Sequence, residues 1–178
     1  MSSRPDINSL LKDENLFEKA IILNRNEYLK EAGSIDTNIY FIREGSVRIF
    51  ISDNAEERNI RFGYSGNIIV SLDSFLSNKP SPLYIQALKK TTILIASKGS
   101  FMQIMNKDPQ HLQLWNSILE DLNLQQFERE IDLLTQSPRE RYHRLLKRSP
   151  QVFQQIPNKH IANYLRMTPE TLSRIKKS

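Results

Sequence analysis

The sequence lacks residues that many functional classes require. It contains no cysteine, which excludes disulfides, thiolate metal sites and iron–sulfur clusters. Its three histidines are His111, His143 and His160, so residues 1–110 contain none. No apolar run is long enough to span a bilayer, and no signal peptide is recognisable. We therefore expect a cytoplasmic protein with no membrane partner.

Charge is divided unevenly along the chain. Of the 25 basic and 20 acidic residues, 10 and 2 respectively lie from Ser137 onward, whereas 15 and 18 lie in residues 1–136. The formal net charge of +5 therefore combines a strongly basic C-terminal end with a slightly acidic body. This asymmetry is typical of a protein that holds a polyanion with one part of its surface.

The first half of the chain contains short apolar runs of the length of β-strands. Turn-forming residues such as Gly33, Asp53-Asn54 and Gly66 separate them. Many short strands at this spacing predict a sandwich or barrel. Gly45 is interpreted as the turn of a β-hairpin. A helical segment is expected within residues 7–17 and a strand at 27–29, and the other predicted strands are 39–42, 47–51, 59–62, 67–70, 83–87 and 92–96.

A long helix is predicted between these strands and the basic end. Its apolar residues form two series with 3-4-3 spacing and different phase, Leu112, Trp115, Leu119 and Leu122, then Leu124, Phe127, Ile131 and Leu134. Such a helix either packs on its own domain or forms a two-stranded coiled coil, and the phase shift favours some of each. We predict a homodimer whose interface includes Leu112, Trp115, Leu119, Leu122, Phe127 and Ile131.

The basic end has the pattern of a helix-turn-helix. Ser137 and Pro138 mark the start of one helix, which Pro150 ends. Two short amphipathic helices then flank a turn at Arg166-Met167, and Thr168 is a good N-cap for the second. A two-helix surface hairpin without a partner is the alternative, but the local positive charge favours contact with DNA. The expected division is 1–108, 109–136 and 137–178.

These features together resemble a regulator of the Crp/Fnr family over nearly the whole chain. The resemblance is most specific in residues 141–146, 159–165 and 168–174, and the segment 39–48 resembles the family's β-roll signature. It implies an α+β architecture with an N-terminal double-stranded β-helix (jelly roll), a long dimerisation helix and a C-terminal helix-turn-helix. It also implies transcriptional control from a palindromic operator in double-stranded DNA, with RNA polymerase as a further candidate partner.

The resemblance places the base-contacting acid and arginine of the family on Glu170 and Arg174. A carboxylate can accept from cytosine N4, and arginine can bind guanine O6 and N7 with two hydrogen bonds. Many members have an additional arginine where this chain has Pro169, and a glycine where it has Arg166, and we expect no β-hairpin wing. The predicted DNA-binding residues are Lys159, Thr168, Glu170, Thr171, Ser173, Arg174, Lys176 and Lys177.

Members that bind cyclic AMP carry a glutamate and an arginine that hold the ribose and the cyclic phosphate. Here Ser71 stands at the glutamate position and Ser81-Pro82 at the Arg-Ser position. A buried phosphate without its arginine lacks a charge-assisted pair, although Lys79 is an alternative point charge. We therefore expect no control by cyclic AMP and a pocket that is empty or takes another ligand. The degenerate pocket comprises Gly66, Val70, Ser71, Leu72, Ser81 and Pro82.

Two rival functions follow from the same residues. A metal-dependent enzyme of the cupin type needs histidine and carboxylate ligands on inward-facing strands, and residues 1–110 have no histidine. The same absence argues against a haem ligand within the roll. The second rival is a degenerate sensor that acts through an unknown ligand or protein partner without sequence-specific DNA binding. Salt-dependent and sequence-selective DNA binding separates it from the main interpretation.

Overall fold

The computed structural model describes residues 16–54 and 56–177. Its N-terminal part is a β-roll of two four-stranded antiparallel sheets. The sheet orders are β1-β8-β3-β6 and β2-β7-β4-β5. The strands are β1 (Lys19–Leu23), β2 (Tyr28–Lys30), β3 (Ile39–Glu44), β4 (Ser46–Asp53), β5 (Glu56–Tyr64), β6 (Ile68–Val70), β7 (Tyr84–Ala87) and β8 (Thr91–Ala96).

Alternation along the strands separates the interior of the roll from its outer faces. Val47, Ile49 and Ile85 of the second sheet meet Ile42 and Ile93 of the first in one buried cluster. The predicted strands are therefore present, and the prediction of a two-sheet β architecture is confirmed. The strand β1 was not predicted, and residues 7–15 of the predicted N-terminal helical segment lie outside the described residues.

The predicted β-hairpin around Gly45 is wrong. β3 and β4 belong to different sheets, so the chain passes at Gly45 from one sheet to the other. A one-residue connection is too short for a hairpin, whose tightest common loops have two residues. Gly45 has φ 102°, and a Cβ atom there would lie 2.6 Å from Cα of Thr91. The glycine is therefore required by a close contact at the corner of the roll.

Seven helices complete the described part of the chain. They are α1 (Leu72–Ser77), α2 (Lys98–Met105), α3 (Pro109–Leu134), α4 (Pro138–Arg148), α5 (Val152–Gln155), α6 (Asn158–Tyr164) and α7 (Pro169–Lys177). Asp108 caps α3 by accepting from the Gln110 N–H at 2.8 Å. Ser137 caps α4 as predicted, with Pro138 as its first residue.

The helices cover the outer faces of the roll. Trp115 of α3 packs against Phe101 and Phe75, with ring centroids 5.1 and 5.7 Å away, in the cluster that contains Ile39 of the first sheet. The C-terminal helices lie against the second sheet, where Phe62 contacts Tyr164 at 5.3 Å. In the part of the chain that the structure describes, no helix has the length and apolar character needed to cross a membrane.

Candidate nucleic-acid interface

The helices α6 and α7 form a compact pair joined by a tight turn. The Met167 N–H donates to the Ala162 carbonyl at 3.0 Å, and Arg166 has φ 52°. The turn therefore places arginine in the left-handed region, where a side chain is strained. Thr168 accepts from the Thr171 N–H at 3.2 Å and so caps α7, as its sequence position predicts.

Apolar residues from both helices form the core beneath this pair. Ile161, Ala162, Leu165 and Leu172 are fully buried. They pack together with Tyr142 of α4 in one cluster. The small side chain of Ala162 lies in this core, where the two short helices meet. The core fixes the angle between α6 and α7 and so fixes which side of α7 faces outward.

Arg141 connects the turn of the helix pair to the end of the long helix. Its Nε donates to the Leu165 carbonyl at 2.8 Å, and its Nη2 to the Arg166 carbonyl at 3.1 Å. Its Nη1 donates to the Thr135 and Gln136 carbonyls at 2.7 and 2.9 Å. One buried guanidinium thus satisfies four carbonyl groups at the C-terminal ends of α3 and α6. Arg141 belongs to the segment 141–146 that resembles the Crp/Fnr family, but the sequence indicated no role for it.

The outward side of α7 is polar and basic. Of the predicted DNA-binding residues, all except Thr171 are exposed, and Thr171 is half-buried. Lys176 donates to the Asn158 side chain at 3.0 Å. Hydrogen bonds from its own backbone N–H and from the Thr168 hydroxyl lower the pKa of Glu170. Thr168, Glu170 and Thr171 lie at the N-terminal end of α7, whereas Arg174, Lys176 and Lys177 lie in its last turn.

Part of the basic end is used internally and is not available to a polyanion. Arg144 and Arg148 of α4 both pair with Asp132 of α3, which is fully buried, and Arg144 does so at 2.9 Å. Glu128 adds a second carboxylate, 2.6 Å from Arg144. Together with Arg141, three of the ten basic residues from Ser137 onward therefore join helices. The sequence-level charge count did not distinguish them from surface residues.

Asparagine side chains join the helix pair to the β-roll. The Asn163 carboxamide accepts from the Asn59 N–H at 2.7 Å and donates to the Glu57 carbonyl at 2.8 Å. The Asn59 side chain donates in turn to the His160 carbonyl at 3.0 Å. Burial, and after it the positive charges of Arg48 and Lys159, lower the pKa of His160 to about 4. The pair is thus hydrogen-bonded to the edge strand β5.

The predicted ligand pocket of the roll is occupied by a network of serine hydroxyls. Ser71 and Ser81 are buried, and their hydroxyls lie 3.1 Å apart. Ser71 also donates to Asp73 at 3.0 Å. Val70 and Leu72 are half-buried beside this network, whereas Pro82 is exposed. Two hydroxyls therefore meet where the resemblance places a carboxylate and a guanidinium.

The cationic groups near this network do not replace the missing arginine. Lys30 is buried, and its Nζ donates to the carbonyls of Leu83 and Glu31 at 2.8 and 3.1 Å. Its pKa is lowered because burial disfavours the charged ammonium. Lys79 is exposed at the surface. Gly66 lies in the turn between β5 and β6 with φ 89°.

Comparison with known proteins agrees with this architecture. Residues 21–108 match the family model of the cyclic nucleotide-binding domain. A CooA variant from Carboxydothermus hydrogenoformans superposes with a TM-score of 0.75 at 17% identity, over 96% of this chain and 82% of that chain. For FixK2 from Bradyrhizobium japonicum the TM-score is 0.73 at 18% identity, over 89% and 82%. The chain has the Crp/Fnr fold.

A third structure supports the same assignment. The c-di-GMP responsive regulator CLP of Xanthomonas campestris has a TM-score of 0.71 at 14% identity and covers 97% of this chain and 90% of its own. No curated protein matches the sequence. The resemblance to the Crp/Fnr family predicted from sequence motifs is thereby confirmed, and the low identities leave operator and effector open to proposal.

The long helix of this Crp/Fnr fold presents two different apolar faces. Trp115 and Leu122 are buried in the protomer itself, and Leu119 packs against the same core. Phe127 is 60% exposed, and Leu124 is 62% exposed. Ile131 is half-buried and Leu112 is 41% exposed. The first series of the predicted dimer interface therefore mostly packs on its own domain, whereas the second leaves an apolar strip at the surface.

No metal centre is apparent in residues 16–54 and 56–177, where no group of three or more His, Asp or Glu side chains is placed to hold an ion.

The contacts of Asn163, Asp132 and Arg141 were missed from the sequence because their partners lie far away in the chain. The neighbouring sequence gives no local signal for them: the residues three and four positions from Asp132, for example, are Glu128, Arg129, Thr135 and Gln136, all of them polar.

Proposed function

We propose that the chain is a transcription regulator that binds a palindromic operator as a homodimer and is not controlled by cyclic AMP. The observation that carries the proposal is the outward face of α7. It presents Glu170, Ser173 and Arg174 to solvent on a helix held rigidly by the core beneath it. A carboxylate and a guanidinium on one rigid helix match the donor and acceptor pattern of a C·G base pair in the major groove.

In this proposal α6 and α7 are a helix-turn-helix. Glu170 and Arg174 contact base edges, while Thr168, Thr171, Ser173, Lys176, Lys177 and Lys159 position the helix on the phosphates. Residues 137–178 form the DNA-binding domain and residues 1–108 the sensor-like β-roll. Arg141 supports the role indirectly, because it holds the turn between the two helices to the end of α3.

Dimerisation is assigned to residues 109–136. The exposed strip of Leu124, Phe127 and Leu134 supports this assignment, since these side chains are 62%, 60% and 78% exposed in one protomer. A second copy of the helix would cover the strip in a coiled coil. Two helix-turn-helix units would then face half-sites about one helical turn apart, which requires a palindromic operator.

Independence from cyclic AMP is supported by the serine network. Ser71 and Ser81 bond to each other at the place of the family's glutamate and arginine. Neither hydroxyl carries the charge that a desolvated cyclic phosphate requires. We therefore expect cyclic AMP to leave DNA binding unchanged.

The test is selection of bound sequences from a random duplex library, without added ligand and at two salt concentrations. A palindromic consensus is the expected result. Arg174→Ala should lose about 1–3 kcal/mol of discrimination at one base pair of each half-site. Lys177→Ala, the matched control, should weaken specific and random DNA alike and lower the salt slope by about 1. Equal losses on both DNAs for Arg174→Ala would contradict its assigned role.

Sequence-blind and salt-sensitive binding alone would favour the alternative, a degenerate sensor that acts through another ligand or a protein partner. Adding cell extract to the same assay distinguishes a regulator that lacks its effector from a protein that does not recognise specific DNA. A consensus that appears only with extract would retain the regulator and reject effector-free binding.

A further inference from the structure

We propose that a cleft beside the long helix binds a small molecule through an oxyanion, a carboxylate or a phosphate, held by Arg61 and Arg129. The cleft has a volume of about 480 Å³. It lies between the β5–β6 turn, the middle of α3 and the start of α5. Of the residues assigned to the predicted ligand pocket, it shares only Gly66. The proposal concerns ligand binding alone and does not depend on DNA recognition.

Arg129 of α3 is a buried cation with incomplete hydrogen bonding. The residue is 6% exposed, and its Nη1 atom is buried without a hydrogen-bond partner. Its Nη2 donates to the Asn59 carbonyl at the long distance of 3.4 Å. The guanidinium lies 3.8 Å from the centroid of the Tyr164 ring. A buried donor without an acceptor is costly, and a charged one more so.

Arg61 of β5 is a second, half-buried arginine in the lining of the cleft. Its Nη2 donates to the Leu122 carbonyl at 3.4 Å, and burial lowers the pKa of its guanidinium. Among the described residues, neither Arg61 nor Arg129 forms an ion pair with a carboxylate. Asp132 acts on Arg129 only at a distance, because its two oxygens are held by Arg144 and Arg148.

Two desolvated guanidinium groups on one cleft are a strong anion site. Arginine presents a planar fork of donors that matches a carboxylate or a phosphate. An oxyanion between them would supply the acceptors that the protein itself does not provide. The rest of the lining is mixed: it includes apolar side chains such as Ile60, Phe62 and Ile118. It also includes two carboxylates, Asp121 and Glu128, of which Glu128 is already paired with Arg144 and Arg148. The apolar part of the lining can accommodate an apolar body attached to the anionic group.

The experiment is calorimetric titration of the full chain with inorganic phosphate and, separately, with benzoate. Either probe should bind saturably. Arg61→Gln and Arg129→Gln should each weaken that binding by about tenfold or more, which corresponds to about 1.4 kcal/mol. Arg58→Gln is the matched control, since Arg58 is an exposed residue of the same strand that pairs with Glu56. The control variant should bind as the unchanged protein does.

The two probes distinguish the source of the oxyanion. Tighter binding of benzoate indicates a carboxylate on an apolar body, and tighter binding of phosphate indicates a phosphoryl group. Melting curves identify any variant that does not fold, and Arg61→Gln keeps the test valid if Arg129→Gln unfolds. Absence of saturable binding by both probes, or equal affinity in a folded Arg61→Gln variant, would overturn the proposal.

Discussion

Asp132 offers the sharpest test of how the C-terminal helices are held to the long helix. Its carboxylate is 0% exposed and pairs with Arg144 and Arg148 of α4. Asp132→Asn keeps the size of the side chain and removes its charge. The amide group then directs N–H donors toward guanidinium donors, so at least one guanidinium loses its acceptor.

The size of the effect follows from burial. Breaking a buried ion pair by removing one partner costs about 3–5 kcal/mol. The arginine side chains are 29% and 21% exposed, and Glu128 still contacts Arg144 at 2.6 Å. We therefore expect the lower end, about 3 kcal/mol. In a protein of this size, 1 kcal/mol shifts the melting temperature by about 2–4 °C, so the expected decrease is roughly 6–12 °C.

Thermal unfolding followed by circular dichroism measures this shift. Asp121→Asn is the matched control, because it makes the same change at an exposed position of the same helix. The control should stay within about 0.5 kcal/mol of the unchanged protein. Equal melting temperatures for the two variants would refute the view that the buried carboxylate joins α3 to α4.

Three further predictions concern pH, the corner of the roll and assembly. The pKa of His160 is lowered to about 4, so the folded protein takes up this proton less readily than the unfolded chain. The free energy of unfolding should therefore be unchanged above about pH 6.5 and decrease as the pH falls toward 4. This decrease should be smaller in His160→Gln than in His143→Gln. Gly45→Ala combines a clash with a left-handed φ, so urea unfolding should show a loss above about 2 kcal/mol, and more than for Gly33→Ala, which has open space. Phe127→Asp places a charge on the exposed strip, and sedimentation equilibrium should show dissociation of the proposed dimer.

Local chemistry made the helix ends predictable from the sequence. Ser137 with Pro138 and Thr168 with Pro169 mark helix starts, because a hydroxyl accepts from a free N–H and proline needs no acceptor there. Both caps are present in the structure. The left-handed conformation of Arg166 was indicated only by the resemblance, which places a glycine of the family at this position.

Pairing between distant segments was not predictable in the same way. Two apolar runs flank Gly45 as in a hairpin, but the packing of the two sheets, and not proximity in sequence, determines which strands pair. From the sequence, the two apolar series of α3 indicated only that the helix packs partly within its protomer and partly against a second copy. The position of the roll determines which residues of α3 pack within the protomer, because the roll buries Trp115 and leaves Phe127 exposed.

Composition alone does not reveal which basic residues lie at the surface and which join helices. Net charge correctly distinguished the basic end from the acidic body, but it treats every arginine as a surface cation. Arg141 binds four carbonyls, and Arg144 and Arg148 share the buried carboxylate of Asp132. A guanidinium is suited to such positions because it carries five donors in one plane. The planar arrangement of donors that lets arginine bind DNA bases therefore also lets it join helices, and only the contacts in the structure distinguish the two roles.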